Sequence, residues 1–117
     1  MKKMKLWAVG ALLSVLFASC AFHSSKHSFG PYSAAETFYS KGNYPKAIEK
    51  YQEYLAENPK GNLAATAEYY VAKSYAASGN PDRARESFER VLKTFPGTSW
   101  AAFSKEQLEA LDGVTKV

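Results

Sequence analysis

The chain has 117 residues and carries 15 Lys and Arg against 11 Asp and Glu, a formal net charge of +4. Three of the lysines (Lys2, Lys3, Lys5) lie at the very start, so the residues from 20 onward hold 12 basic and 11 acidic side chains, too even a balance to attract a polyanion such as nucleic acid. With one cysteine, Cys20, neither an internal disulfide nor a multi-cysteine metal site can form.

The first element is a leader. After the three lysines comes an apolar run over residues 6–18, and the small residues Ala18 and Ser19 stand directly before Cys20. A basic start, an apolar middle and a small-residue end form a secretory signal, here over residues 1–19. The apolar run is too short to cross about 30 Å of hydrocarbon as a retained helix. The stretch Leu16, Phe17, Ala18, Ser19, Cys20 resembles the lipobox of bacterial lipoproteins. That resemblance implies cleavage before Cys20, diacylation of its thiol and acylation of the new amino terminus with a fatty acid such as palmitate. Two or more acyl chains anchor stably, each buried CH₂ contributing about 0.8 kcal/mol. Ala21 follows the cysteine where aspartate would favour the inner membrane, so the same resemblance implies an outer-membrane lipoprotein facing the periplasm. An ordinary cleaved signal with an incidental cysteine is the alternative.

Residues 20–31 form the expected lipidated terminus and tether. Residues 21–30, AFHSSKHSFG, are rich in Ser and His and lack helical periodicity. Ten extended residues reach at most about 35 Å, which would hold the folded part close to the membrane. His23 and His27 are four apart and would suit a metal on a helix, but no third ligand lies nearby. Solvated histidines are the simpler reading, and neither metal nor cofactor is expected.

From residue 32 the chain repeats. A shift of 37 carries Gly42-Asn43 onto Gly79-Asn80, Ala47 onto Ala84, Tyr51 onto Phe88, Leu55 onto Leu92 and Pro59 onto Pro96. A period of this size marks a solenoid of helical pairs. Gly42 and Gly79 close the first helix of each pair, where positive φ is needed. Asn43 and Asn80 cap the second, with Pro45 and Pro81 in its first turn. Tyr44, Ala47, Ile48, Tyr51, Leu55 and Ala84, Phe88, Val91, Leu92, Phe95 recur every three or four residues, one apolar stripe per helix. Pro59 and Pro96 stop these helices. Asn62 and Ser99 are the expected caps of the helices that follow, and Ser33 with Glu36 forms an S-x-x-E capping box at the first. Residues 100–111 begin a third unit that Asp112-Gly113 ends, with Trp100, Leu108 and Leu111 facing inward; residues 113–117 are a tail.

These positions resemble the tetratricopeptide repeat (TPR) over about residues 32–111. The small and aromatic residues of its pattern are Ala35, Phe38, Gly42, Ala47, Tyr51 and Pro59, then Ala72, Tyr75, Gly79, Ala84, Phe88 and Pro96. The unit is 37 residues rather than 34, assigned to longer helices or a longer link, and Pro31 and Glu68 stand where the pattern has tryptophan. The implied fold is all-α: a short TPR-like solenoid of two helix-turn-helix repeats plus a C-terminal capping helix, as a domain over residues 32–112. So few units give a marginal monomer, or a dimer that supplies missing neighbours.

No catalytic constellation follows the tether, which is the last place where His or Cys occurs. A hydrolytic triad needs a base beside its nucleophile, the glycines form no phosphate-binding loop, and Glu86 with Glu89 reads as a solvated helix face. The chain is not expected to be an enzyme. The TPR resemblance instead implies a concave binding surface lined by first helices, comprising Tyr32, Glu36 and Tyr39, then Thr66, Tyr69, Tyr70 and Lys73, then Phe103 and Glu106. Tyrosine supplies rigid area with a hydroxyl, suited to peptide recognition, although each ring could equally pack between helices. The runs FGPYS, A-x-Y-Y-x-A, F-P-G-T-S-W-A-A and L-E-A-L are similar to TPR lipoproteins and periplasmic TPR proteins of the Gram-negative envelope. That group includes the TPR lipoprotein of the β-barrel assembly machinery and the TPR protein associated with the Tol–Pal system. The expectation is a lipid-anchored adaptor that binds an envelope protein or peptide at the periplasmic face of the outer membrane. The alternatives are a self-associating structural lipoprotein without a client, and a pilot lipoprotein for a secretin or pilus.

Overall fold

A computed structural model describes residues 30–115, so the leader, Cys20, the tether up to residue 29 and the last two residues lie outside the described residues. Gly30 and Pro31, expected to end the tether, already belong to the first helix. Five helices follow one another: α1 (Gly30–Ser40), α2 (Tyr44–Glu57), α3 (Ala64–Ala77), α4 (Pro81–Thr94) and α5 (Ser99–Thr115). Each packs on the next, and α3 also touches α5, the connectivity of a helical solenoid. No described helix is long and apolar enough to cross a membrane.

The turns explain why these residues fold this way. Gly42 has φ +75° and Gly79 φ +82°, a conformation that costs a side-chain-bearing residue energy. Gly42 N–H donates to Tyr39 O at 3.0 Å and Asn43 N–H to Phe38 O at 2.9 Å, the paired bonds of a Schellman motif. The second turn repeats them from Gly79 to Ala76 O at 3.2 Å and from Asn80 to Tyr75 O at 2.9 Å. Each asparagine then starts the next helix: Asn43 Oδ1 accepts Lys46 N–H at 3.4 Å, and Asn80 Oδ1 accepts Arg83 N–H at 3.3 Å. One residue thus closes a helix with its backbone and opens the next with its side chain.

Other helix ends depart from the sequence expectation. Helix α1 begins at Gly30, so Ser33 is already inside it and its carbonyl accepts the Thr37 hydroxyl at 3.0 Å; the capping box does not form. Pro31, with φ preset, occupies the first turn instead. Asn62 does not cap α3. The link over residues 58–63 turns back on itself, Gly61 N–H to Asn58 O at 3.2 Å, and Ala64 N–H takes Gly61 O at 3.0 Å without a side-chain cap. At α5 the cap is Thr98 rather than Ser99, its hydroxyl accepting Ala101 N–H at 3.2 Å and donating to Phe95 O at 2.7 Å. Gly113 does not end α5, which continues to Thr115; φ at Gly113 is not positive, and a helical glycine costs only about 1 kcal/mol. The helices α2, α3 and α4 are each 14 residues long, and the long link at 58–63 contributes to the period.

Two apolar clusters hold the stack. Tyr32, Ala35, Ala47, Ile48, Tyr51, Tyr54, Ala67 and Val71 form the first; Tyr69, Ala72, Ala84, Phe88 and Val91 form the second, with Trp100, Leu108 and Leu111 packed against it. The alanines marked by the repeat (Ala35, Ala47, Ala72, Ala84) are all fully buried. A larger side chain there would overpack a dense interior. Exposed positions of the terminal helices are mostly polar, Ser33, Glu36, Thr37 and Ser40 on α1 and Lys105, Glu106, Glu109 and Asp112 on α5, as the ends of a solenoid require.

Candidate functional site

The first helices of the successive units, α1, α3 and α5, share an aromatic row. Tyr39 on α1 meets Tyr70 on α3 with centroids 5.1 Å apart, and Tyr70 meets Trp100 on α5 at 6.0 Å. Trp100 continues to Phe103 at 5.7 Å, and Tyr69 touches Trp100 at 5.1 Å and Phe103 at 6.3 Å. Most of these rings meet edge to face or tilted, the arrangement their quadrupoles favour. The row ends at Phe103, which is 43 % exposed and is the exposed large hydrophobic residue among those described.

The expected site residues divide into two groups. Tyr32 and Tyr69 pack between helices and offer a ligand little surface, since both are buried. Tyr32 is held edge-on by Tyr51 at 5.6 Å and Tyr54 at 5.4 Å, and Tyr69 by Phe88 at 5.7 Å. Tyr39, Thr66, Tyr70 and Lys73 are half-buried, and Glu36, Phe103 and Glu106 are exposed; these remain accessible. Trp100 belongs to the row although the sequence reading placed it only inward. Its position one turn before Phe103 on α5 was the available signal, because residues three apart share a helix face.

Burial sets the electrostatics of the phenols. It pushes the Tyr32 hydroxyl up to about 12, and the Glu36 carboxylate beside it adds to the shift. Tyr51 is raised further by burial. Tyr39 and Tyr69 are also raised, burial being the main cause and, for Tyr69, Glu106 a lesser one. All four stay protonated at neutral pH and can donate hydrogen bonds.

The other charged contacts brace the stack. Arg90 Nη1 donates to Glu68 Oε1 at 2.7 Å between α4 and α3, and Arg85 pairs with Asp112 between α4 and α5. Glu68 stands where the repeat pattern carries a tryptophan, and the Arg90 contact compensates its charge there. A shallow cleft of about 300 Å³ on α4 is lined by Glu86, Glu89, Arg90 and Lys93, whose charges offset one another. No group of three or more His, Cys, Asp or Glu that could hold a metal occurs among the described residues.

The comparisons agree with this architecture. The family model described as Tetratricopeptide repeat matches residues 38–105, from the end of α1 through both glycine turns into α5. No curated protein matches the chain.

Proposed function

The chain belongs to the tetratricopeptide repeat family, and from that premise we propose that it is a lipid-anchored adaptor that binds an envelope protein or peptide at the periplasmic face of the outer membrane. The family is in general a non-catalytic scaffold for protein–protein interaction. The observation that carries the reading is the aromatic row from Tyr39 through Tyr70 and Trp100 to the exposed Phe103. It runs along the first helices, which also carry the accessible charges Glu36, Lys73 and Glu106, a mixture of rigid apolar area and polar groups suited to a polypeptide. The anchor and the compartment rest on the leader and Cys20, whose surroundings resemble a lipobox. The chain performs no reaction of its own in this reading.

Affinity capture of a tagged copy from mildly solubilised outer membranes tests it, beside Cys20→Ser and Phe103→Ala copies. One envelope complex retained by the lipidated parent, and reduced in both variants, is the expected result. Recovery of the chain alone would instead favour a self-associating structural protein. A pilot role would show as loss of one secretin or pilus assembly when the chain is deleted.

A further inference from the structure

We propose that the corner formed by Trp100 and Phe103, closed by Tyr69 and bordered by Glu106, is a subsite for one arginine side chain of the bound polypeptide. The inference rests on the peptide-binding reading and deepens it by naming the chemistry the partner must present.

Trp100, Phe103 and Glu106 follow one another at three-residue steps on α5, so two rings and a carboxylate line one face. Trp100 and Phe103 meet at 76° with centroids 5.7 Å apart, and Tyr69 from α3 lies 5.1 Å and 6.3 Å from them. Ring faces carry negative potential and attract a cation within about 6 Å. Glu106 is exposed and takes part in no ion pair among the described residues. No cation among the described residues covers these rings: the cation–ring contact there is Lys60 on Phe95, at 5.9 Å. An exposed Phe103 ring and a half-buried Trp100 ring on the helix that carries an unpaired carboxylate are complementary to a positive group. Guanidinium suits the corner better than ammonium, because its plane stacks on an aromatic face while its edge donates to a carboxylate. Lys73, one turn beyond Tyr69 on α3, lies outside salt-bridge distance of Glu106.

The test is titration of the solubilised full-length chain with three short probes, Gly-Ser-X-Ser-Gly, where X is arginine, its neutral isostere citrulline, or leucine. The readout is the indole N–H resonance of Trp100, assigned with Trp100→Phe. The arginine probe should shift this signal and bind about fivefold more tightly than the citrulline probe. Glu106→Gln should erase that preference, and Phe103→Ala should abolish the shift. Phe103 and Glu106 are exposed, and unchanged helical circular dichroism verifies the fold of each variant. Equal binding of arginine and citrulline, a preference for leucine, or no shift with any probe would overturn the subsite. An envelope complex captured independently of Glu106 would leave the adaptor reading standing without this chemistry.

Discussion

The Arg90 guanidinium reaches across from α4 to the Glu68 carboxylate of α3 at 2.7 Å, and the two partners differ sharply in exposure, 55 % against 8 %. Burial raises the Glu68 carboxyl, and Arg90 acts in the opposite direction. An acid raised in the folded state contributes stability below its unfolded value and loses that contribution as pH rises through the folded value. At neutral pH the Glu68 charge is therefore a cost that Arg90 offsets. Arg90→Leu should lose about 1–3 kcal/mol at pH 7, with the loss shrinking as Glu68 becomes protonated in acid. Glu68→Gln should be neutral or stabilising. Urea unfolding at several pH values measures both, and a pH-independent loss in Arg90→Leu would contradict the argument.

Gly61 is required for closeness rather than for a special backbone angle. A Cβ added there would sit 2.9 Å from Tyr54 Oη and 3.1 Å from Asn58 Cβ. Tyr54 cannot swing aside, since it is buried and held edge-on by Tyr32. Gly61→Ala should cost about 1–3 kcal/mol by overpacking. Adding Tyr54→Phe, which deletes the clashing oxygen, should recover part of that loss in thermal unfolding. No recovery would place the strain elsewhere in the link.

Ser104 is fully buried on α5 and its hydroxyl finds no hydrogen-bond partner among the described residues. The residue one repeat earlier is Ala67, also fully buried. Removing an unsatisfied buried hydroxyl returns about 1 kcal/mol or more, so Ser104→Ala should raise the unfolding midpoint. Ser74→Ala is the matched comparison, because the Ser74 hydroxyl donates to Tyr70 O at 2.6 Å. Its gain should be smaller. An equal gain at both positions would show that helix propensity alone is responsible.

The raised phenols predict the alkaline limit of the fold. Tyr32, Tyr39, Tyr51 and Tyr69 all favour the neutral form when folded. Their contribution is complete below the unfolded value of 10.0 and is lost as pH rises through the folded value, about 12 for Tyr32. Phenolate absorbance followed together with helical circular dichroism should show the late-titrating tyrosines ionising as the helices melt. Ionisation of all eight tyrosines near the ordinary value, with helicity intact, would refute this.

The parts of the fold legible in the sequence were those fixed by local chemistry. Positive φ at Gly42 and Gly79, the Asn43 and Asn80 caps, the fully buried alanines and the stops before Pro59 and Pro96 each depend on a few adjacent residues. Errors arose where two local signals competed. Ser33 with Glu36 matched a helix start, but Gly30-Pro31 had already begun one; Thr98 and Ser99 could each cap α5, and the Gly97 turn, with φ +77°, aims the threonine. Contacts set by packing between elements left no trace in the pattern. The Glu68–Arg90 pair, the Tyr54–Gly61 approach and the division of tyrosines into packed and accessible depend on how helices cross. Periodicity marks a face as apolar without saying what will lie against it.

The double use of Asn43 and Asn80 leaves the two tight turns without slack. Backbone and side chain of the same residue bind opposite neighbours, so the angular phase of each second helix is inherited from the first. One residue inserted at 41–43 or 78–80 would turn the following helix by about 100°. Tyr51 or Phe88 would then leave the core for solvent. The length of these turns is consequently as invariant a requirement as the identity of their glycines, and a chain lengthened there would lose its stacking before it lost any helix.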